Sequence, residues 1–122
     1  MSMYTVKVRS HFNSAHNLRG YKGKCEALHG HNWYVEVAAG SDTLDELGMV
    51  VDFKELKGDL KDILAELDHT YLNELEYFKT HNPTSENIAK YIFDRMSGAD
   101  TGYKVSAVTV WETDTASATY SG

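Results

Sequence analysis

The chain has 122 residues, 42% of them hydrophobic, and its 18 acidic and 12 basic side chains give a formal net charge of −6. This composition is typical of one globular domain, and the acidic excess argues against nonspecific nucleic-acid binding. A single cysteine excludes an intramolecular disulfide, and no apolar run is long enough for a membrane span or a secretory signal. We therefore expect one cytoplasmic domain over residues 1–122, without nucleic-acid or membrane association.

Two strands open the predicted fold. Apolar and polar residues alternate over 4–12 and again over 31–38. A period of two residues is typical of a half-buried strand. Residues 17–26, which include two glycines, are expected to form the loop between them.

Two helices follow the strands. The first is predicted after Asp52, a suitable N-cap, and its apolar stripe consists of Phe53, Leu56, Leu60, Ile63, Leu64 and Leu67. The second begins near residues 83–86 and ends at Gly98, with an apolar face of Ile88, Ala89, Ile92, Phe93 and Met96.

The two-residue period returns over 104–112 and 115–120, with a tight turn around Thr113 and Asp114. The expected fold is α+β in ββααββ order: a four-stranded, mostly antiparallel sheet with two helices on one face. The uncovered face would carry Lys7, Arg9, Tyr34 and Glu36. Because that face and the edge strands stay open, we expect subunits to join edge to edge in a homo-oligomer.

A histidine pair forms the densest chemical motif of the chain. His29 and His31 are two residues apart in a predicted strand, so both imidazoles project from one face. His16, at the end of the first strand, would complete a three-histidine site with an open fourth position, as in catalytic zinc sites. The alternative is an ordinary strand pair beside a surface histidine, and the third histidine together with the nearby Cys25 favours the metal site.

Cys25 has three possible roles. It can be a fourth ligand, since thiolate suits zinc, or a base or nucleophile whose thiolate is favoured by the metal and by Lys22 and Lys24. It can also be a small buried hydrophobe, although the charged, glycine-containing loop around it argues against burial.

Other polar residues occur at element ends. Asp68 beside His69 can fix the imidazole tautomer for proton transfer, or the two can be an ordinary helix-end pair. Glu112, among apolar strand residues, is either salt-bridged or free to accept paired N–H donors. The N-terminus of the second helix offers free backbone N–H groups or simple capping at Thr84, Ser85 and Glu86.

Together these motifs resemble the 6-pyruvoyl-tetrahydropterin synthase / 6-carboxytetrahydropterin synthase family. The matching segments are Phe12 to His16, Cys25 to His31, Val51 to Phe53, Leu67 to Asn73, Pro83 to Asn87 and Trp111 to Thr113. The resemblance implies the tunnelling fold (T-fold), in which subunits close into barrels as trimers that stack into a homohexamer.

The resemblance also implies roles for individual residues. Zn²⁺ would be held by His16, His29 and His31. The acid/base set would be Cys25, Asp68 and His69, with the Asp-His pair supplied by a neighbouring subunit. The pterin ring would be anchored by Glu112, with Thr84, Ser85 and Glu86 beside it. The implied substrate is 7,8-dihydroneopterin triphosphate, and Lys22 and Lys24 are candidates to meet the triphosphate.

Three residues separate Cys25 from His29, a spacing that resembles the bacterial 6-carboxytetrahydropterin synthases. That branch implies a lyase that releases acetaldehyde and triphosphate on the route to queuosine. The alternatives are a 6-pyruvoyl-tetrahydropterin synthase that only eliminates triphosphate, a zinc-binding structural or binding module with a closed Cys-His site, and a metal-free thiol hydrolase.

Overall fold

Five strands and three helices form the described part of the chain, which in this computed structural model comprises residues 3–20, 27–99 and 101–122. The strands are β1 (Tyr4–His16), β2 (His29–Ser41), β3 (Thr70–Tyr71), β4 (Val105–Thr113) and β5 (Ala116–Tyr120). The helices are α1 (Phe53–Leu67), α2 (Glu76–Thr80) and α3 (Ser85–Ser97), with one 3₁₀ turn at Leu72–Glu74.

The strands form one mixed sheet in the order β3-β1-β2-β4-β5. β1 and β2 are antiparallel along their whole length, from Tyr4 opposite Ser41 to His16 opposite His29. The α+β class is confirmed, but the four-stranded antiparallel sheet and the ββααββ order are wrong, because β3 pairs parallel with β1 at Ser14 and Ala15. A two-residue strand is too short to show a period in the sequence.

One face of the sheet forms the core with the helices. Alternate residues of β1, β2 and β4 are buried there, namely Val8, Phe12, Trp33, Val35, Val37, Val108 and Val110. On the opposite face Lys7, Arg9 and Tyr34 are exposed, as predicted, and Glu36 forms ion pairs with Arg9 and Lys7 at 3.1 and 3.9 Å.

The predicted helices and their caps are largely confirmed. Asp52 accepts a hydrogen bond from the backbone N–H of Lys54 at the start of α1, and Gly98 caps α3. Phe53 is 60% exposed, so its predicted place in the buried stripe is wrong: the first residue of the helix precedes the turn that faces the sheet. In the described part of the chain, none of the helices has the length and apolar character that crossing a bilayer requires.

Candidate metal centre

Three histidines and one glutamate meet where the core face of the sheet ends. His16 is the last residue of β1, His29 and His31 begin β2, and Glu112 lies near the end of β4. Strand alternation places all four on the face that carries Trp33 and the apolar core. One nitrogen or oxygen from each residue lies within 4.8 Å of the others.

The distances inside this cluster are short. Nε2 of His16 lies 3.0 Å from Nε2 of His29. Oε1 of Glu112 lies 3.1 Å from Nε2 of His16 and 3.0 Å from Nε2 of His31. Two nitrogens that share a tetrahedral zinc, each bonded at 2.0–2.1 Å, are about 3.3 Å apart, so the cluster is close to the size of a metal site.

Backbone carbonyls determine which way two of the rings present their lone pairs. Nδ1 of His16 lies 2.7 Å from the carbonyl oxygen of Pro83, and Nδ1 of His29 lies 2.7 Å from that of Ala27. Each Nδ1 therefore donates a hydrogen, and in a neutral ring the Nε2 atom carries a lone pair. Two lone pairs that face each other at 3.0 Å repel unless a cation lies between them.

Burial favours the neutral form of His16 and His31. His16 is 1% exposed, and desolvation lowers its pKa, a shift that the Pro83 carbonyl and the Glu112 carboxylate only partly oppose. Burial also lowers the pKa of His31, and the Glu112 carboxylate, which lies 3.0 Å from its Nε2 without forming a hydrogen bond, only partly opposes that shift. Metal ligands must be deprotonated, so three imidazoles beside a carboxylate, with burial favouring the neutral form of His16 and His31, fit a zinc ion.

The cluster includes Glu112, for which the family resemblance implies a role as anchor of the pterin ring. Glu112 reaches the histidines because β4 pairs with β2 in a register that sets Trp111 opposite Tyr34. A long-range register of this kind is not visible in one sequence. The alternation of Val108, Val110 and Glu112 was the available signal, since it places the carboxylate on the core face.

Asp68 and His69 form a turn that is tied to β1 and is not part of the four-residue cluster. Oδ1 of Asp68 accepts from the backbone N–H of Asn13 at 2.9 Å, and the backbone N–H of His69 donates to the Asn13 carbonyl at 2.6 Å. His69 has φ 54°, in the left-handed region that costs a non-glycine residue about 1 kcal/mol or more. Its side chain is 78% exposed and Nε2 lies 3.6 Å from Oδ2 of Asp68.

The start of α3 lies beside the cluster, since the Pro83 carbonyl that holds His16 is one residue before the N-cap. The hydroxyl of Thr84 accepts from the backbone N–H of Asn87 and thus acts as a cap. Ser85 and Glu86 occupy the first turn of the helix. The predicted base Cys25 lies outside the described residues, as do Lys22 and Lys24.

A sequence comparison identifies the family. The family model for 6-pyruvoyl tetrahydropterin synthase matches residues 5–122, which is nearly the whole chain. The chain belongs to the 6-pyruvoyl tetrahydropterin synthase family. The resemblance inferred from the sequence motifs is thereby confirmed.

Relatives within the 6-pyruvoyl tetrahydropterin synthase family carry two names. A protein of Archaeoglobus fulgidus named putative 6-carboxy-5,6,7,8-tetrahydropterin synthase is 40% identical over 109 residues, 89% of this chain and 88% of its own. A Synechocystis 6-carboxy-5,6,7,8-tetrahydropterin synthase is 38% identical and covers 97% of this chain and 93% of its own. The solved structure of Caenorhabditis elegans 6-pyruvoyl tetrahydropterin synthase matches with a TM-score of 0.89 and 32% identity, over 100% of this chain and 97% of that one.

From the lowered pKa values of His16 and His31 we predict that the metal-free form of this family member loses stability in mild acid. The unfolded chain takes up protons on its histidines from about pH 6.5, whereas His16 and His31 in the folded chain have lowered pKa values and stay neutral. The free energy of unfolding should therefore fall as the pH is lowered from about 7 to about 5. Urea denaturation at a series of pH values, after chelator treatment, measures this change.

Two histidine variants separate this effect from general acid sensitivity. His31→Gln removes one of the two groups and should show a smaller fall in unfolding free energy with pH than the wild type. His81→Gln changes an exposed histidine and should keep the wild-type dependence. Equal pH dependence in the wild type and in His31→Gln would contradict the assignment.

Proposed function

We propose that this protein is a zinc-dependent 6-carboxy-5,6,7,8-tetrahydropterin synthase of the cytoplasm. It would convert 7,8-dihydroneopterin triphosphate and one water molecule to 6-carboxytetrahydropterin, with release of acetaldehyde and triphosphate, in queuosine biosynthesis. The observation that carries the proposal is the pair of Nε2 atoms 3.0 Å apart in His16 and His29, whose Nδ1 hydrogens are already committed to carbonyl oxygens. The 6-carboxy name of the relatives from Archaeoglobus fulgidus and Synechocystis supports the choice of product.

His16, His29 and His31 would hold the zinc ion. His16 is the buried ligand, while the side chains of His29 and His31 are 29% and 22% exposed and lie toward the open side of the cluster. This arrangement leaves access for the substrate from the side of β2. When bound, zinc supplies Lewis acidity toward the hydroxyl-bearing side chain of the substrate.

Proton transfer would fall to Cys25, Asp68 and His69. The Cys25 thiolate would accept a proton from the side chain of the pterin, and His69 would relay protons with Asp68 orienting its ring. Triphosphate would leave with the electron pair of the broken C–O bond. The strained backbone and high exposure of His69 suit a ring that acts outside its own subunit.

Assembly into a homohexamer of two stacked trimers would bring that ring to the site of a neighbour. β3 pairs only with Ser14 and Ala15 of the 13-residue strand β1, and Asp68 and His69 bond Asn13, so the backbone before Asn13 has no strand beside it on that edge of the described sheet. β5 forms the other edge of the sheet. Open edges at both ends favour the edge-to-edge joining of subunits.

Glu112 would bind the amino group and ring N–H of the pterin, and Thr84, Ser85 and Glu86 would lie beside the ring. The carboxylate of Glu112 is 32% exposed and faces the imidazoles, so it borders the metal and the space next to it. A carboxylate offers two acceptor oxygens to paired N–H donors.

A second candidate is the 6-pyruvoyl branch, which eliminates triphosphate without breaking a C–C bond. It is favoured by the Caenorhabditis elegans 6-pyruvoyl tetrahydropterin synthase structure, whose TM-score to this chain is 0.89. Incubation with dihydroneopterin triphosphate followed by an acetaldehyde assay decides between the two. We expect acetaldehyde in step with triphosphate release. Pyruvoyl product without acetaldehyde would select the second branch.

Cys25→Ala and His29→Ala separate the enzyme from a structural zinc module and from a thiol hydrolase. Cys25→Ala should keep zinc and the fold and lose turnover, whereas His29→Ala should lose zinc. Zinc analysis, circular dichroism and the product assay measure the three properties. Loss of zinc and fold in Cys25→Ala would indicate a closed structural site, and full activity without zinc would indicate the hydrolase.

Glu112→Gln tests the anchor role of the carboxylate against a role as a fourth ligand. The variant should retain zinc and bind the pterin more weakly, because an amide offers one acceptor in place of two. Zinc content and pterin titration by fluorescence are the measurements. Loss of zinc with unchanged pterin affinity would make Glu112 a ligand instead.

A further inference from the structure

The backbone that follows His16 leaves the sheet, because β1 ends at His16 and β2 begins only at His29. The N–H and C=O groups of residues 17–20 consequently have no strand beside them in the described sheet. Asn17 and Leu18 are half-buried, whereas Arg19 and Gly20 are exposed. A backbone group that is buried without a partner costs about 1–3 kcal/mol, so the half-buried part of this segment needs partners outside the sheet.

Two asparagine side chains provide these partners. The amide of Asn73 accepts from the backbone N–H of Asn17 at 3.0 Å and donates to the carbonyl of Asn17 at 2.9 Å. The amide of Asn82 does the same with Arg19, at 3.1 and 2.9 Å. Each amide thus makes both hydrogen bonds that a neighbouring strand would make with a residue.

The second of these amides is linked to a metal ligand. The carbonyl of Asn82 accepts from Nδ2 of Asn87 and from the backbone N–H of Thr84, both at 2.8 Å. These bonds fix the turn before α3. The next carbonyl along the chain, that of Pro83, accepts a hydrogen bond from Nδ1 of His16. Asn82 therefore joins the backbone after His16 to the backbone that orients its ring.

We propose that Asn73 and Asn82 are positioning residues for the metal ligand His16. Their amides act as substitute strand partners for residues 17 and 19 and keep the His16 ring in the orientation that presents Nε2 to the metal. The inference rests on the proposed zinc site and adds to it two residues that touch neither the metal nor the substrate. Loss of such an outer contact weakens metal binding by about 10- to 100-fold in other sites.

Cobalt binding to the purified full chain tests this role independently of activity. Co²⁺ replaces zinc in sites of this donor type, and its visible spectrum reports affinity and coordination. Asn82→Ala and Asn73→Ala should each raise the dissociation constant for Co²⁺ by about 10-fold or more. Asn82→Asp keeps the acceptor for the N–H of Arg19 and should show a smaller loss, which provides a measurement if Asn82→Ala does not fold.

Tyr103→Phe is the matched control for stability. The substitution removes a hydroxyl that donates a hydrogen bond to Asp59 at 2.7 Å. This bond lies at the end of the sheet opposite the histidine cluster, near the backbone hydrogen bond from Gly40 to the Lys104 carbonyl. The control should lower the thermal midpoint and leave Co²⁺ affinity unchanged. Wild-type Co²⁺ affinity in all the asparagine variants, or an equal loss of Co²⁺ affinity in Tyr103→Phe, would overturn the positioning role and leave the proposed metal site standing. A wild-type protein that binds no Co²⁺ would overturn the proposed metal site together with it.

Discussion

Two imidazole nitrogens that face each other across 3.0 Å impose the main constraint on this structure. Both rings have their other nitrogen committed to a carbonyl, and burial keeps His16 neutral. A proton or a metal cation can relieve the repulsion, and burial disfavours the proton. The fold therefore maintains an arrangement of donors that a bound metal would stabilise, so metal binding at this cluster would be thermodynamically linked to folding.

The same sheet face serves as core and as site. Side chains from β1, β2 and β4 pack against α1 and α3 along most of that face, and its last positions are histidine and glutamate in place of valine. Rigid neighbours such as Trp33, fully buried and 4.8 Å from the His16 ring centre, restrict how these rings can rotate. Placing these side chains on strands next to a packed core gives them a more fixed geometry than a loop would.

Much of this arrangement could be predicted from sequence because it depends on local periods. The alternation over β1 and β2 placed His29 and His31 on one face, and the helical stripe and cap residues predicted α1 and α3. β3 and α2 were missed because two and five residues are too few to show a period. The approach of Glu112 to the histidines depends on the register between β2 and β4, which has no local signal in the sequence. The hydrogen bonds of the two asparagine amides join residues more than fifty positions apart in the chain, so they have no local signal either.

The backbone of His69 introduces a trade-off at a single position. A glycine would adopt φ 54° without steric cost, whereas an imidazole-bearing residue lowers the stability of the folded chain there. Selection for thermal stability alone would favour replacing His69, whereas the proton-transfer role proposed for this residue would favour keeping it. Directed evolution for heat resistance that ignores activity should accordingly accumulate glycine at this turn, so His69 is a position to hold fixed when the protein is engineered.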